Sequence, residues 1–229
     1  MKNLLLAAVL ALVLSKSAFA DGSGGDILRA TVMVDKLEYQ FNDEKATAWE
    51  SYAYVGYDLN KIYIYSEGEK VDNVSSLKSE NQLVYSRATT PYWDVQLGVA
   101  YDKTEESDKT WGVIGVQGLA PYFFEIRAVV LVGDEGNIGF RAEAEYEALF
   151  TQKLILTPSI EMEAYSKDNL EMGIGSGFSN LTLGARLRYE FVREFAPYIG
   201  IQWSKNFGNT DDVVPLDEVY ITTGFRFWF

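Results

Sequence analysis

From residue 28 to the C-terminus, apolar and polar residues alternate along the chain with a period of two. In the stretch 137–150, one face is apolar and the other carries Arg141, Glu143, Glu145 and Glu147. Such alternation is typical of β-strands that separate an apolar from a polar environment. The pattern predicts an all-β protein with about 12 strands, near residues 28–41, 48–57, 61–67, 77–88, 92–102, 110–119, 122–132, 138–149, 153–165, 181–192, 197–205 and 218–229.

Alternation alone does not tell whether the apolar face is buried in a soluble protein or turned toward lipid. Three features favour lipid: connections at one end are longer than those at the other, aromatic residues gather toward strand ends, and the bases on the polar faces are mainly arginines. The first two are typical of outer-membrane barrels, and the planar guanidinium suits enclosed carboxylates. We predict a single antiparallel up-and-down transmembrane β-barrel over residues 28–229, surrounded by outer-membrane lipid. A soluble β-sandwich or lipocalin-like barrel is the alternative.

The first twenty residues have the three parts of a secretory signal peptide. Lys2 precedes an apolar run over 4–14, and Ala18-Phe-Ala20 provides a small-x-small cleavage site. The apolar run is too short to cross a bilayer as a helix. We therefore expect a signal peptide over 1–20, a short periplasmic segment over 21–27, and export to the outer membrane.

The composition excludes several classes of function. The 229 residues include no histidine and no cysteine, so histidine relays, thiol nucleophiles and thiolate metal sites are absent. Barrel enzymes such as outer-membrane phospholipases rely on an essential histidine, and the chain is predicted not to be an enzyme. The net charge of −13 argues against nucleic acid as a partner, because phosphate binding needs clustered bases.

The polar faces, which a membrane barrel turns into its lumen, carry charges of both signs. Buried charges must be paired, so one hypothesis is a network of salt bridges that plugs the lumen. The other is a cation site or path. We assign to the salt-bridge network Glu125, Arg127, Arg141, Glu147, Arg186, Arg188, Glu190 and Arg226. The candidate metal ligands are Glu143, Glu145, Glu161, Glu163 and Met172, the last being the thioether of the longest loop.

The longer connections are rich in acidic residues and are predicted to form one rim of the barrel. This rim is either an ordinary solvated surface or an electrostatic funnel for cations. Its acidic residues are Asp43, Glu44, Glu69, Asp72, Glu105, Glu106, Asp108, Asp134, Glu135, Asp168, Glu171, Asp211, Asp212 and Asp217.

Several segments together resemble one known family. They are Gly115-Val-Gln-Gly-Leu-Ala-Pro-Tyr122, Arg141-Ala-Glu-Ala-Glu-Tyr146, Leu154-Ile-Leu-Thr-Pro158, Gly173-Ile-Gly-Ser-Gly177, Arg186-Leu-Arg-Tyr189, Arg193-Glu-Phe-Ala-Pro-Tyr198 and Phe225-Arg-Phe-Trp-Phe229. In this order they resemble the copper resistance protein B family, over most of residues 35–229. The resemblance implies an outer-membrane β-barrel that acts in copper tolerance, by export or by sequestration near the cell surface, with copper ions as its cargo. It also implies that Phe229 resembles the signal read by the barrel-assembly machinery.

Members of that family commonly carry a Met- and His-rich segment ahead of the barrel, whereas this chain has no histidine. A periplasmic copper oxidase or a separate Met- and His-rich copper carrier is therefore the further partner that the resemblance implies. Our leading hypothesis is a barrel that binds or passes copper ions through a Glu/Arg-lined lumen and acidic outer loops. The alternative is a structural or adhesive barrel with a plugged lumen and no metal role.

Overall fold

The computed structural model describes residues 27–72 and 77–229. The predicted signal peptide, and all of the 21–27 segment except Ile27, lie outside the described residues. The strands are β1 Arg29–Phe41, β2 Ala46–Gly56, β3 Asn60–Val71, β4 Leu77–Ala88, β5 Trp93–Lys103, β6 Asp108–Ala120, β7 Phe124–Val132, β8 Ile138–Glu145, β9 Ala148–Leu149, β10 Leu154–Tyr165, β11 Gly177–Tyr189, β12 Phe195–Asn206 and β13 Asp217–Trp228. Helix α1 is Gly208–Val213, and single 3-10 turns occupy Pro121–Phe123, Asp134–Gly136 and Leu170–Met172. No helix among the described residues is long and apolar enough to span a membrane.

The strands form one closed antiparallel sheet. Apart from β8 and β9, each strand pairs with the next along the chain, and β1 pairs with β13. β8 and β9 both pair with β10 and together replace the single strand predicted over 138–149. The interruption lies opposite Pro158, which accepts a hydrogen bond from Tyr146 N–H but has no N–H to donate in return. With β8 and β9 counted as one, the barrel has twelve strands, and the predicted fold class is confirmed.

The two faces of the strands meet opposite environments. On β5, Leu97 and Val99 are 61% and 52% exposed, whereas Gln96 and Asp102 are almost completely buried. Polar residues inside and apolar residues outside are the reverse of a soluble protein and are typical of a barrel in lipid. The soluble alternative, which would bury the apolar face, does not fit this arrangement.

The connections define the two ends of the barrel. The turn end carries 57–59, 89–92, 121–123, 150–153 and 190–194, and faces the periplasm in the general pattern of outer-membrane barrels. The loop end carries 42–45, Asp72, 104–107, 133–137, 166–176 and 207–216. Only its last two connections are clearly longer than the turns, because the other strands extend further than predicted. As a result Glu69, Asp108 and Asp217, predicted to lie in loops, belong to β3, β6 and β13.

Candidate functional site

The barrel lumen contains two chambers that share part of their walls. The turn-end chamber, of about 290 Å³, is lined among others by Tyr52 and Glu125. The loop-end chamber, of about 360 Å³, is lined among others by Glu69, Met172 and Tyr220. The carboxylates that line both chambers are those of Glu50, Glu67 and Glu80. The two chambers therefore meet at these three acidic side chains.

Strand geometry brings the acidic side chains into the lumen. Successive side chains of a strand point to opposite faces, so Glu143 and Glu145 on β8 face the same way as each other and opposite to Phe140 and Ala144. Antiparallel pairing then places Glu143 directly opposite Glu161 of β10. Acidic residues that are two apart on one strand thus become neighbours of acidic residues on the next strand.

Several members of the predicted salt-bridge network form ion pairs in the turn-end half of the lumen. Arg186 binds Glu145 at 2.6 Å between guanidinium and carboxylate. Arg188 binds Glu147 at 2.6 Å and lies 3.7 Å from Glu190. Both arginines come from β11 and are nearly completely buried. A buried guanidinium requires such partners, because an uncompensated charge in this position would be strongly destabilising.

Asp35 of β1 joins two arginines across the region where β1 meets β13. Arg226 donates to Asp35 at 2.6 Å and lies 3.7 Å from Glu147, while Arg186 approaches Asp35 at 3.3 Å. Asp35 is absent from the set of lumen residues assigned from sequence. Its carboxylate links the β11 arginines to the last strand of the barrel.

The remaining predicted network members behave differently from one another. Arg141 is held by carboxylates of Glu80 at 2.5 Å and Asp102 at 2.7 Å, far from the β11 arginines in the register of the sheet. Arg127 has no ion pair among the described residues; it donates to Gln82 and lies over the Tyr65 ring at 4.0 Å. Glu125 likewise has no basic partner within salt-bridge distance in the described part of the chain.

The candidate metal ligands are mostly occupied by other partners. Glu145 binds Arg186, Glu161 accepts from Lys36 at 2.6 Å, and Glu163 accepts from the Tyr165 hydroxyl at 3.0 Å. Glu143 has neither an ion pair nor a side-chain hydrogen bond in the described structure and lines the turn-end chamber. Within residues 27–72 and 77–229, no group of three or more carboxylates is placed to hold a metal ion.

Met172, the candidate thioether ligand, is folded into the barrel rather than exposed in its loop. It is 7% exposed and belongs to an apolar cluster with Trp111, Leu131, Tyr165 and Ile174. The same side chain lines the loop-end chamber. Its sulfur therefore lies in an apolar wall of the lumen, away from the outer surface.

Sequence reasoning missed part of the lumen. The residues concerned are Asp35, Lys36, Glu38, Glu50, Glu67, Glu80 and Asp102. Lys36 is the least expected, because it is buried and bridges Glu50 and Glu161 at 2.6 Å each. A β-bulge between Val34 and Leu37 changes the parity of β1. Lys36 keeps the parity of the buried Glu38, whereas Asp35 has the sequence parity of the exposed Leu37 and nevertheless lines the lumen, so alternation counted along the strand misplaces Asp35. For Asp102 the regular alternation of β5 was a sufficient signal, whereas β4, which carries Glu80, places the apolar Val84 on the same face as Glu80.

At the loop end, the connection 166–176 contains an ordered carboxylate. Asp168 accepts from the Ser176 backbone N–H at 2.6 Å and from the Asn209 side-chain amide at 3.1 Å. The hydrogen bond from the Ser176 backbone, followed by that from Asn209, holds the pKa of Asp168 below its usual value of 3.8. Asp168 is therefore ionised at neutral pH and joins the 166–176 connection to α1.

Comparisons with known proteins agree with this architecture. Residues 28–229 match the family model described as copper resistance protein B precursor (CopB). Copper resistance protein B of Escherichia coli is 38% identical over 224 residues, which cover 93% of this chain and 75% of that protein. A copper resistance protein B homolog of Pseudomonas syringae pv. tomato (strain ATCC BAA-871 / DC3000) is 36% identical over 203 residues, covering 86% and 69%.

A solved structure shows the same fold at much lower identity. The KdgM porin covers 87% of this chain and 99% of its own, with a TM-score of 0.55 and 9% identity. Its likeness concerns the fold alone, whereas the family match extends over almost all described residues. The predicted outer-membrane location is confirmed, and the chain belongs to the copper resistance protein B family, as its sequence motifs had indicated.

Proposed function

We propose that this outer-membrane barrel acts in copper resistance by admitting copper ions to its carboxylate-lined lumen. The relatives named above are copper resistance proteins, and copper is the cargo rather than a resident cofactor. The observation that carries the proposal is that Glu67, Glu125 and Glu143 line the turn-end chamber without a basic partner among the described residues. Cations are the species that such a chamber attracts.

The kind of ligand in the lumen favours Cu²⁺ over Cu⁺. Carboxylate oxygens suit harder cations, whereas Cu⁺ prefers thiolate and thioether sulfur. The one thioether of the loop-end chamber, that of Met172, packs in the apolar cluster. We therefore assign the cargo as Cu²⁺ and propose Glu143, opposite Glu161, as its main contact.

Weak contact with several carboxylates is compatible with passage. Conduction requires that an ion bind well enough to enter and weakly enough to leave. A protein partner already occupies each of three candidate ligands, Glu145, Glu161 and Glu163. Their main contribution is therefore a negative potential in the lumen, and not a free position for binding the ion. An ion that moves past them meets a series of partly satisfied carboxylates, which supports transfer rather than tight storage.

The test uses the purified barrel in planar bilayers and in copper-binding measurements. Cation-over-anion selectivity is read from the reversal potential in a KCl gradient, and Cu²⁺ binding is measured directly by titration. We expect a cation-selective current in wild type and a shift of the reversal potential toward zero in Glu143→Gln. Glu190→Gln is the matched control, because Glu190 lies near Arg188 and outside the turn-end chamber lining. A wild-type barrel that neither conducts nor binds Cu²⁺ contradicts the proposal.

A specific observation also supports the alternative of a structural or adhesive barrel with a plugged lumen. Several ion pairs span strands that are not neighbours, including Lys36 on β1 with Glu161 on β10 and Arg141 on β8 with Glu80 on β4. Such pairs occupy lumen space and brace the walls. Absence of current together with an unchanged fold in Glu143→Gln would favour this function.

We propose the partners from the same resemblance. The C-terminal Phe229 is the residue for the barrel-assembly machinery to read, and a periplasmic copper oxidase or a Met- and His-rich carrier would exchange copper at the turn end. Replacement of Phe229 by Ser should reduce the amount of barrel in the outer membrane without changing the lumen residues. The control is Phe195→Ser, which removes an aromatic ring at the same end.

A further inference from the structure

We propose that the connection 166–176, named here the gate segment, closes the loop-end mouth of the lumen and opens it by moving away from α1. This inference concerns the regulation of the passage and rests on the proposed function. The gate segment is the longest connection of the barrel. Two residues of its tip are turned inward, since Met172 and Ile174 are 7% and 8% exposed, whereas Leu170 beside them is 65% exposed.

The tip is a small folded unit. Asn169 and Ile174 exchange both backbone hydrogen bonds, with N···O distances of 2.7 and 3.0 Å. Between them lies the 3-10 turn Leu170–Met172, which ends at Gly173 with a positive φ of 66°. The N–H groups of Met172 and Gly173 also donate within the tip, to Asn169 and Leu170. Because these hydrogen bonds lie inside the tip, the unit can keep them when it changes position.

The inner side of the tip packs on barrel residues. Met172 and Ile174 belong to the apolar cluster that includes Trp111, Leu131 and Tyr165. The same two tip residues line the loop-end chamber beside acidic side chains. The tip thus separates the outer solution from the chamber on this side of the barrel, and the apolar cluster is the surface on which it is seated.

The outer side of the tip is held by α1. Thr210 Oγ1 accepts from Gly175 N–H at 2.9 Å and lies 2.6 Å from the Ser179 hydroxyl. A Cβ atom at Gly175 would collide with the backbone of Asn209 and Thr210, so the two segments approach as closely as a glycine allows. Asn209 additionally donates to Ser176 Oγ at 3.1 Å.

The contacts that Gly175 and Ser176 make with Asn209 and Thr210 are named here the latch, because they can break and re-form while the barrel stays intact. They are a few hydrogen bonds between two connections, and each is worth little net free energy. The barrel wall, by contrast, is a continuous hydrogen-bonded ring. Release of the gate segment from α1 therefore costs far less than opening of the barrel, and local opening of this kind is the normal behaviour of weakly held segments.

The first test adds a single methyl group at Gly175, which breaks the contacts between the gate segment and α1. Gly175→Ala is compared with Gly112→Ala, where an added Cβ meets only an ordinary contact at 3.6 Å. In planar bilayers with KCl, we expect Gly175→Ala to raise the fraction of time in the open state by about fivefold, as loss of one or two hydrogen bonds allows. Gly112→Ala should leave it unchanged.

The second test locks the latch and does not depend on the folding of Gly175→Ala. The chain contains no cysteine, so the pair Ser176→Cys and Asn209→Cys is the only thiol pair in its variant. Oxidation to the disulfide should abolish the transitions to the open state, and reduction should restore them. The control pair is Asn60→Cys with Arg87→Cys at the turn end, where the two residues lie directly opposite each other on β3 and β4.

The outcomes separate the gate from the passage. Equal currents in wild type, Gly175→Ala and both redox states of the locked pair overturn the gate and leave the passage standing. Gated K⁺ current without Cu²⁺ binding or transport supports the gate and overturns the copper proposal. Absence of current in every variant, with the fold verified by circular dichroism, overturns the gate, and absence of Cu²⁺ binding in addition overturns the copper proposal.

Discussion

Two lysines whose carboxylate partners lie at nearly equal distances occupy very different parts of the barrel. In the lumen, Lys36 lies 2.6 Å from both Glu50 and Glu161, and its side chain is 10% exposed. At the loop-end rim, Lys205 lies 2.5 Å from Asp217, with side chains 34% and 56% exposed. From the distances alone, the ion pairs of the two lysines would be expected to contribute equally to stability.

The comparison shows that the surroundings, more than the distance, decide what an ion pair contributes. Water and salt screen the rim pair, and exposed pairs of this kind add little to stability. In the lumen, neither partner can regain full hydration if the other is removed, so loss of one partner is costly. The lumen pairs are therefore constraints on the structure, while the rim charges mainly shape the field around the mouth.

The largest expected effect is that of Lys36→Met, which leaves the carboxylates of Glu50 and Glu161 without their shared base. We expect a loss of about 3 kcal/mol in the free energy of unfolding, as found when a largely buried partner is removed. The measurement is urea unfolding of the barrel in lipid vesicles. Adding Glu161→Gln should recover part of the loss in the free energy of unfolding. A Lys36→Met barrel as stable as wild type would show that the lumen pairs contribute no more to stability than the rim pair does.

A much smaller effect is expected for Lys205→Ala at the rim. Its partner Asp217 also accepts from the Trp203 indole N–H at 2.9 Å, so the carboxylate keeps a donor. The urea midpoint should move little at low salt and not at all in 1 M NaCl, because the screening length there is only about 3 Å. The effect of Lys36→Met should persist in the same salt. A Lys205→Ala effect that survives high salt would contradict the proposed contrast.

The smallest expected effect concerns Asp168 in the gate segment. The pKa of this carboxyl lies below its usual value of 3.8 because of hydrogen bonds from the Ser176 backbone and Asn209. The folded pKa is depressed, so the contribution of these bonds is fully present above pH 4 and is lost as the pH falls through the folded pKa. Acidification below pH 4 should raise the open fraction in wild type more than in Asp168→Asn.

Protonation of lumen carboxylates also changes the current, and the difference between wild type and Asp168→Asn isolates the contribution of the gate segment. Ser176 and Asn209, the residues that face Asp168, are uncharged. Parallel pH curves for the two proteins would show that Asp168 does not hold the gate segment.

Much of the fold follows from local sequence. Period-two alternation is sufficient to predict twelve strands and to identify the face of β8 that carries Glu143 and Glu145, because the geometry of a strand fixes which side chains share a face. The family motifs identify the barrel independently. Alternation cannot give the position of a bulge, and one bulge in β1 is enough to hide Asp35, which lines the lumen although it has the sequence parity of the exposed Leu37.

The pairing inside the lumen also goes beyond sequence. Arg141 binds Glu80 and Asp102 from β4 and β5 rather than an acidic residue of its own neighbourhood. Such pairs depend on which strands face each other across the lumen, which the order along the chain does not specify. The inward position of Met172 has the same origin, since a loop of eleven residues could equally extend outward.

The seam between β1 and β13 has a consequence for assembly. Phe229 and Val32 exchange backbone hydrogen bonds at 2.9 and 3.1 Å, and Arg226 binds Asp35 across 191 residues of chain. Contacts of such long sequence separation form late and slowly, because the intervening chain must already be ordered. Until the seam closes, two strand edges are available to other chains, so the lifetime of the open-sided intermediate sets the risk of aggregation. Asp35 and Arg226 also line the turn-end chamber. The same ion pair therefore shapes the lumen and takes part in the last step of folding, the closure of the barrel.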